Sequence, residues 1–260
     1  MENALVLPVQ RGRVWLPVQY GQQEVRFAYT AVQGTHHECF TAINKDKELR
    51  PAEGLELALL TFGAYNSKEQ EWKDIRQTCF IDQCTRASCK LLLIPAGPIA
   101  SDASLSGVLI ERDINGIGLT KEMQVPDLSQ WEETEGVYHL VSSSAKAVFV
   151  PSSAYEGKSF EQDRIAHAHL TPEGAELFAK TARDAGKNPH NWIARRMKEI
   201  KLIEQRVSLL HESSYRLGYR LGLNSSGWGV NRYSRAFGVS LGASSTIHIA
   251  LSDNYITTPQ

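Results

Sequence analysis

Apolar and polar residues alternate through much of the first forty positions of the chain. Val14, Leu16 and Val18 fall on one side of an extended backbone, and residues 23–32 continue the same period of two. Because successive side chains of a strand point to opposite faces, this pattern predicts two strands. Gly34 interrupts the alternation and marks the end of the second strand.

The period then becomes helical. Leu55, Leu59 and Phe62 recur at i, i+4 and i+7, and Pro51 ahead of them predicts a helix start. Residues 68–78 predict a second helix, with Trp72 turned toward the core. Both helices are expected to bury one apolar stripe.

Short apolar runs and a capped helix follow. The runs predict strands at residues 90–95, 108–110, 117–119 and 138–150. Thr171 followed by Pro172 predicts a helix entry, because the hydroxyl caps free backbone N–H groups and proline suits the first turn. We expect this helix to end near Gly186.

Two patterns succeed each other after Asn188. With 100° of rotation per residue, a set of apolar residues falls on one side of a helix, which predicts one amphipathic helix that reaches about residue 210. The apolar residues of this set are Ile193, Met197, Ile200, Ile203, Val207 and Leu210. From Tyr215 to Leu223 the period is two, which predicts a strand with Gly218 and Gly222 beside its arginines. Glycine here indicates either a turn or bulge of the sheet, or close approach of another backbone or a ligand.

These elements predict an α+β fold with short, mostly antiparallel strands, about four helices and a glycine-rich β segment near the C-terminus. Strands and helices do not alternate regularly along the chain, so the pattern does not predict a parallel sheet. Composition divides the chain into two regions. Residues 1–187 lean acidic, whereas residues 188–260 combine a basic helix with the glycine-rich β region, as a separate unit or as part of one domain.

The net charge of −1 conceals an uneven distribution. Residues 186–238 hold ten basic and three acidic residues, a local charge of +7. A segregated charge of this size attracts polyanions. The alternatives are that it docks on the acidic remainder of the chain or simply faces solvent. Arginine beside glycine favours phosphate, because its planar guanidinium donates two parallel hydrogen bonds.

The basic region therefore predicts a surface that binds RNA or another single-stranded nucleic acid. Cationic side chains would contact the phosphates, and aromatic rings would stack on unpaired bases. The predicted residues are Arg195, Lys198, Arg206, Arg216, Arg220, Trp228, Arg232, Tyr233 and Arg235.

Two short triplets near the C-terminus enclose a basic spacer. The first is Gly227-Trp228-Gly229, and the second is Ala236-Phe237-Gly238, with alanine in its first position. This segment, residues 227–238, resembles the glycine-rich loop of the RAMP superfamily, the CRISPR-associated RNA-binding and RNA-processing proteins. The resemblance implies contacts to guide-RNA phosphates and a place beside other subunits in a ribonucleoprotein assembly. In the RNA-processing branch it implies a histidine general base, with His36 or His37 as the candidate.

Four cysteines suggest a different chemistry. Cys39 follows two histidines closely, and Cys79, Cys84 and Cys89 are separated by four residues each. Thiolates and imidazoles in this number could close a tetrahedral zinc site, although zinc-ribbon knuckles place two residues between their thiolates. The alternative is that the thiols are buried and act as small hydrophobic groups. A Cys/His metal site would indicate a metal-dependent hydrolase or nuclease.

Other functional signals are few. The sequence contains no Walker loop, Rossmann fingerprint, G-x-S-x-G or H-E-x-x-H motif, and no apolar run long enough to span a membrane. The N-terminal residues lack the pattern of a secretory signal, so we expect a cytoplasmic protein. The leading prediction is an RNA-binding protein without enzymatic activity. The alternatives are the metal-dependent hydrolase and a structural module whose basic segment meets an acidic protein.

Overall fold

The computed structural model describes residues 4–6, 14–96, 105–116, 123–140, 147–213, 219–226 and 234–241, and within them the fold is α+β, as the sequence predicts. The helices are α1 (His36–Lys45), α2 (Leu55–Asn66), α3 (Gln70–Ile75), α4 (Arg164–Leu170), α5 (Pro172–Asp184) and α6 (Trp192–Met197). The strands are β1 (Ala4–Val6), β2 (Trp15–Tyr20), β3 (Gln23–Ala28), β4 (Val32–Gln33), β5 (Leu49–Pro51), β6 (Thr85–Ile94), β7 (Gly107–Arg112), β8 (Trp131–Thr134), β9 (Val137–Leu140), β10 (Ala147–Pro151), β11 (Asn188–Asn191), β12 (Glu204–Ser213), β13 (Arg220–Ser226), β14 (Arg235–Ala236) and β15 (Gly238–Ser240).

The strands form two sheets. The first has the order β1–β2–β3–β15–β5, and its described pairs are antiparallel. The second has the order β11–β13–β12–β6–β7–β10–β9–β8, with β14 placed beside β4 and β6. Among the described strands only the pairs β11–β13 and β14–β6 are parallel. The prediction of mostly antiparallel strands is therefore confirmed.

The basic C-terminal region contributes strands to both sheets. In the second sheet β12 lies between β13 and β6, where Glu204 faces Leu93. In the first sheet β15 lies between β3 and β5, where Val239 faces Phe27 on one side and Arg50 on the other. The two regions distinguished by composition thus share their sheets.

The main core joins one face of each sheet to the helices. Helix α2 packs against α5 and α3, and it is buried on nearly all sides because its sequence is apolar all round. Trp72 of α3 packs edge-on against Phe27 of β3, with the ring centroids 6.3 Å apart. A Cβ atom on Gly63 would lie 2.4 Å from the Trp72 indole, so glycine is what allows α2 to approach α3. No helix in the described parts of the chain is both long and apolar enough to cross a membrane.

The N-terminal hairpin and the capped helix form as the sequence predicts. Strands β2 and β3 pair antiparallel from Trp15 opposite Ala28 to Tyr20 opposite Gln23. The Thr171 hydroxyl accepts a hydrogen bond from the Gly174 N–H at 3.2 Å, and proline occupies the first turn of α5. Just after this helix, the backbone turns left-handed at a glycine.

The predicted long helix over residues 188–210 is wrong. Helix α6 ends at Met197, and the chain re-enters the second sheet as β12. Residues 207–210 are all buried, because β12 lies between two other strands and both of its faces are covered. A strand buried on both faces carries apolar residues on both sides. The apolar residues of β12 fall at positions that continue the helical spacing of Ile193 and Met197, so the two segments resemble a single helix in the sequence.

Two other predictions need adjustment at their boundaries. Pro51 ends β5, and α2 begins only at Leu55, after Gly54, whose φ of 49° favours glycine. The helix predicted over residues 68–78 is α3 with a π-helical turn (Arg76–Ile81) added to its end, and its buried tryptophan is confirmed. The strand predicted at residues 117–119 lies outside the described residues.

Candidate functional site

A polar cavity of about 230 Å³ opens beside helix α6. One wall is the turn 155–160 together with Asp163, and the other is residues 189–198, where β11 passes into α6. We call this cavity and its rim the basic cleft. Lys158, Arg195 and Lys198 are exposed at its surface. The cleft thus joins the acidic-leaning and basic regions of the chain.

Two helix caps support the cleft. The Asp163 Oδ1 atom accepts hydrogen bonds from the Ile165 and Ala166 N–H groups at the start of α4. In the same way, the Asn191 side chain caps the first turn of α6. The Asn191 Nδ2 group then donates to Asp163 Oδ2 over 2.7 Å, which ties the two helix starts together. Both capping residues are buried, so the floor of the cleft is held in place.

Two of the cations that the sequence predicts line this cleft, and a third contacts one of its lining residues. Arg195 and Lys198 line it directly. Arg220, at the start of β13, contributes through His190, because its guanidinium Nη1 lies 3.2 Å from Nε2 of that cleft-lining histidine. Lys158 is a fourth cation, which the sequence analysis missed because it belongs to the acidic-leaning region.

The positive charges near the cleft also act on His190. Its pKa is lowered to about 4, first by burial and then by the positive charges of Arg220 and Arg195. The imidazole is therefore neutral at neutral pH. Because both arginines act on one ring, the two guanidinium groups raise the same local potential at the cleft.

An acid on the floor partly opposes that potential. Burial raises the pKa of Asp163 to about 6, although hydrogen bonds from Asn191 and from two backbone N–H groups act in the opposite direction. The Asp163 carboxylate is thus charged at neutral pH and becomes neutral in mild acid. Glu156 also lines the cleft, but it is exposed to solvent.

Two other predicted cations lie apart from the cleft lining. Arg206 pairs with Glu204, and its Nη2 atom lies 2.6 Å from the carboxylate oxygen. Arg196 binds the same carboxylate at 2.8 Å, so Glu204 serves two arginines. Arg235, on β14, donates to the Gln83 side chain over 3.1 Å.

The remaining predicted nucleic-acid residues lie outside the described residues; they are Arg216, Trp228, Arg232 and Tyr233. Of the segment that resembles the RAMP loop, only residues 234–238 are described. Ala236 and Phe237 are buried there, and Gly238 belongs to β15 in the first sheet. The resemblance itself stays a prediction.

The glycine at the centre of β13 is explained by a neighbouring backbone. A Cβ atom on Gly222 would lie 1.7 Å from the carbonyl oxygen of His190, which is far inside van der Waals contact. Strand β11 runs parallel to β13 at this point, with His190 opposite Gly222. Of the two meanings predicted for glycine here, close approach of another backbone is the one observed.

The four cysteines are free thiols. Cys39 and Cys79 are buried, and the Cys39 thiol donates to the Val32 carbonyl over 3.2 Å. Burial raises the pKa of each thiol, to about 11 for Cys84 and about 12 for Cys89. Within the described ranges no three histidine, cysteine or acidic side chains come together as metal ligands. The zinc site proposed for Cys39, Cys79, Cys84 and Cys89 thus gains no support from geometry and stays a prediction.

The two histidine pairs occupy helices. His36 is buried in α1, where its Nε2 atom lies 2.9 Å from Asp113 Oδ2, whereas His37 is exposed. His167 and His169 lie on α4, and the latter donates from Nδ1 to the Ile165 carbonyl. None of the four lines the basic cleft.

Comparison with known proteins finds no match for this chain among family models, curated sequences or solved structures. What the chain does is therefore inferred from its own residues and their geometry.

Proposed function

We propose that this protein binds single-stranded nucleic acid, with RNA as the preferred partner, at the basic cleft. The observation that carries the proposal is that Lys158, Arg195 and Lys198 line one polar cavity, and that Arg220 contacts the lining residue His190. Phosphate groups would lie along the rim, where the side chains are exposed. The preference for RNA, and a role beside other subunits in a ribonucleoprotein, come from the resemblance of residues 227–238 to the RAMP loop.

The distribution of acids in the basic region supports this location. Its three acidic residues are Glu199, Glu204 and Glu212, and each one pairs with cations of the same region. Their partners are Lys187 for Glu212, Arg196 and Arg206 for Glu204, and Arg195 and Arg196 for Glu199, so of the cleft cations Arg195 has a carboxylate neighbour. Among the described residues no carboxylate pairs with Lys198 or Arg220, so their charge remains available to a ligand.

Several features favour a nucleic acid over an acidic protein. Guanidinium groups match the geometry of phosphate, to which they donate two parallel hydrogen bonds. Tyr219, which precedes Arg220, is 60% exposed, although the Lys187 ammonium covers one face of its ring at 4.3 Å from the centroid. An exposed aromatic ring beside cations suits stacking on an unpaired base. We expect binding in the cytoplasm, where the four free thiols would remain reduced.

Fluorescence anisotropy with a labelled single-stranded RNA tests the proposal. The variant with Arg195, Lys198 and Arg220 all changed to alanine should bind roughly 10–100-fold more weakly. The slope of the logarithm of its binding constant against the logarithm of the salt concentration should also become shallower by about two. A matched control removes three exposed lysines elsewhere: Lys45, Lys73 and Lys180.

The control has the same change in net charge, so it separates a local site from general attraction. Equal binding by wild type and the cleft variant would overturn the proposal. Equal losses in both variants would do so as well, because the cleft would then have no special role. Circular dichroism of both variants checks that the fold is kept.

A further inference from the structure

We infer that a bound strand continues beyond the basic cleft, along a row of aromatic rings that leads to Arg235. The rings are those of His190, Trp192 and His211, which we call the aromatic row. This inference rests on the proposed function and assigns the path of the strand outside the cleft. It is carried by the contacts between the rings and by the cation at each end of the row.

The rings of the aromatic row touch one another. The centroids of His190 and Trp192 lie 4.8 Å apart with the planes at 80°, which is an edge-to-face contact. Trp192 and His211 follow at 6.2 Å with the planes at 47°. Both distances are typical of favourable aromatic pairs. All three residues are partly exposed, so a ligand can reach the row from solvent.

The second sheet places the two histidines on its outer face. His190 of β11 and His211 of β12 both lie opposite Gly222 of β13, one on each side. Residues that pair across neighbouring strands point to the same face of a sheet, so the two imidazoles share a face. Leu221 and Leu223, on either side of the glycine, point to the opposite face and belong to the main core. The aromatic row therefore faces away from that core.

A cation lies at each end of the row. At the cleft end, Nη1 of Arg220 is 3.2 Å from Nε2 of His190. At the other end, the carbonyl oxygen of Gln83 lies 3.3 Å from Nδ1 of His211, and its side-chain oxygen accepts a hydrogen bond from Arg235. Among the described residues no carboxylate pairs with Arg220 or Arg235. Both guanidinium groups can therefore bind phosphate.

The two imidazoles of the row are uncharged at neutral pH. Burial and the charges of two arginines lower the pKa of His190 to about 4. Burial is also the main cause that lowers the pKa of His211. Neutral rings do not attract phosphate, but their flat faces suit contact with bases. Stacking rings flanked by cations are the combination that binds unpaired strands.

The length of the row requires several nucleotides. From β11 it crosses β13 and β12 to the edge of β6, which Gln83 precedes by two residues. Strands of a sheet lie about 4.8 Å apart, so three spacings measure roughly 14 Å. A mononucleotide carries its phosphate at one end only and cannot bind Arg220 and Arg235 together. The ligand of this path is therefore an oligonucleotide.

Replacement of the central ring tests the inference on the full chain. Trp192→Leu should bind a labelled single-stranded RNA about tenfold more weakly, because one stacking contact is lost. The same variant should bind inorganic polyphosphate, which has no bases, like the wild type. Trp192→Phe should keep most of the RNA affinity. Trp131→Leu, which removes another partly exposed indole on the distant strand β8, is the matched control and should bind RNA like the wild type.

Tryptophan fluorescence measures the contact without a loss of affinity. A base stacked on the Trp192 indole quenches its emission. At saturating RNA, the emission of the wild type should therefore be quenched more strongly than that of Trp192→Phe. Circular dichroism of all variants checks that the fold is kept.

The far end of the path is tested at Arg235. Arg235→Gln removes one phosphate contact, so RNA affinity should fall about threefold and the salt slope should become shallower by about one. Unchanged affinity and slope in this variant would overturn the assignment of the far end.

The central assignment has its own contrary outcomes. Equal RNA affinities of Trp192→Leu and wild type, or equal quenching in Trp192→Phe and wild type, would overturn the inference. Equal losses for RNA and polyphosphate would do so as well, because the ring would then support the fold and not contact a base. If the cleft variant still loses RNA binding in these cases, the proposed function stands without the path.

Discussion

Two groups of cations in the same basic segment have opposite surroundings. In the first, which we call the Glu204 cluster, Arg196 and Arg206 share the carboxylate of Glu204. In the second, the basic cleft, Lys198 and Arg220 have no carboxylate partner within the described ranges. Both groups come from residues 186–238 and both contribute to its charge of +7. Glu204 offsets one of the two positive charges in its cluster. In the cleft, Arg195 is paired with Glu199, whereas Lys198 and Arg220 keep their full charge for a ligand.

This difference shows that the charge of a segment does not locate a binding site. The few acids in the segment decide which cations are neutralised, and their positions in the fold are what matter. A surface ion pair contributes little to stability, but it occupies the hydrogen bonds that a phosphate would otherwise accept. The contrast between the cleft and the Glu204 cluster can therefore be tested by adding a carboxylate to one and removing it from the other.

Charge reversal in the cleft should have the largest effect. Lys198→Glu puts a carboxylate beside Arg195, removes a phosphate contact and adds repulsion, so RNA affinity should fall roughly 30-fold. Lys180→Glu, on the exposed side of α5, serves as the control and should change affinity less than about threefold. Anisotropy at moderate salt measures both, and similar losses in the two variants would contradict a local site.

The titration of Asp163 should have an intermediate effect. With its pKa near 6, the carboxyl becomes neutral as the pH falls from about 7.5 to about 5, so repulsion of the phosphate disappears and RNA affinity should rise about threefold. His190, with a pKa of about 4, stays neutral over this range. A probe with unphosphorylated ends avoids titration of the ligand itself.

Asp163→Asn should remove this pH dependence, since asparagine also caps a helix start. An unchanged pH profile in the variant would assign the effect to another group. The same titration changes the free energy of unfolding. The native pKa of Asp163 lies above the unfolded value of 3.8, so the stability that this group contributes is fully present in acid. It is lost as the pH rises from about 4 to about 6. Denaturant unfolding of both proteins across this range measures that loss.

Removal of the shared carboxylate should have the smallest effect. Glu204→Gln frees Arg196 and Arg206, but these lie outside the cleft lining, so RNA affinity should change less than about twofold. The free energy of unfolding should fall by no more than about 1 kcal/mol, because the three side chains are only partly buried and water screens their attraction. A gain in RNA affinity as large as the loss in Lys198→Glu would show that the Glu204 cluster is a masked part of the interface.

Part of this picture could be predicted from the sequence. The period of two around β2, β3 and β13 and the Thr171–Pro172 start of α5 specify local structure, because each depends on neighbours in the chain. Among the site residues Arg195, Lys198 and Arg220 were predicted from charge. The helix assigned through residue 210 failed because burial of β12 depends on β6, more than a hundred residues earlier.

The floor of the cleft could not be predicted in the same way. Tyr155 and Phe160 carry no pattern that separates them from ordinary core residues, and their position at the cleft depends on β11 passing beside them. Asp163 did carry a signal, since an acid just before Ile165 and Ala166 is typical of a helix cap. That signal predicts a helix start but not its hydrogen bond to Asn191, which requires the fold.

The position of β15 has a consequence for how the protein is made. Strands β3 and β5 emerge early in synthesis, yet each bonds to β15 and not to the other. Residues 155–198, which line the cleft, are also complete well before Arg220 and β15 leave the ribosome. A nascent chain stopped before residue 238 would carry every side chain that lines the cleft while its first sheet remained open. We therefore expect the first sheet to close only after the residues that line the cleft have been made.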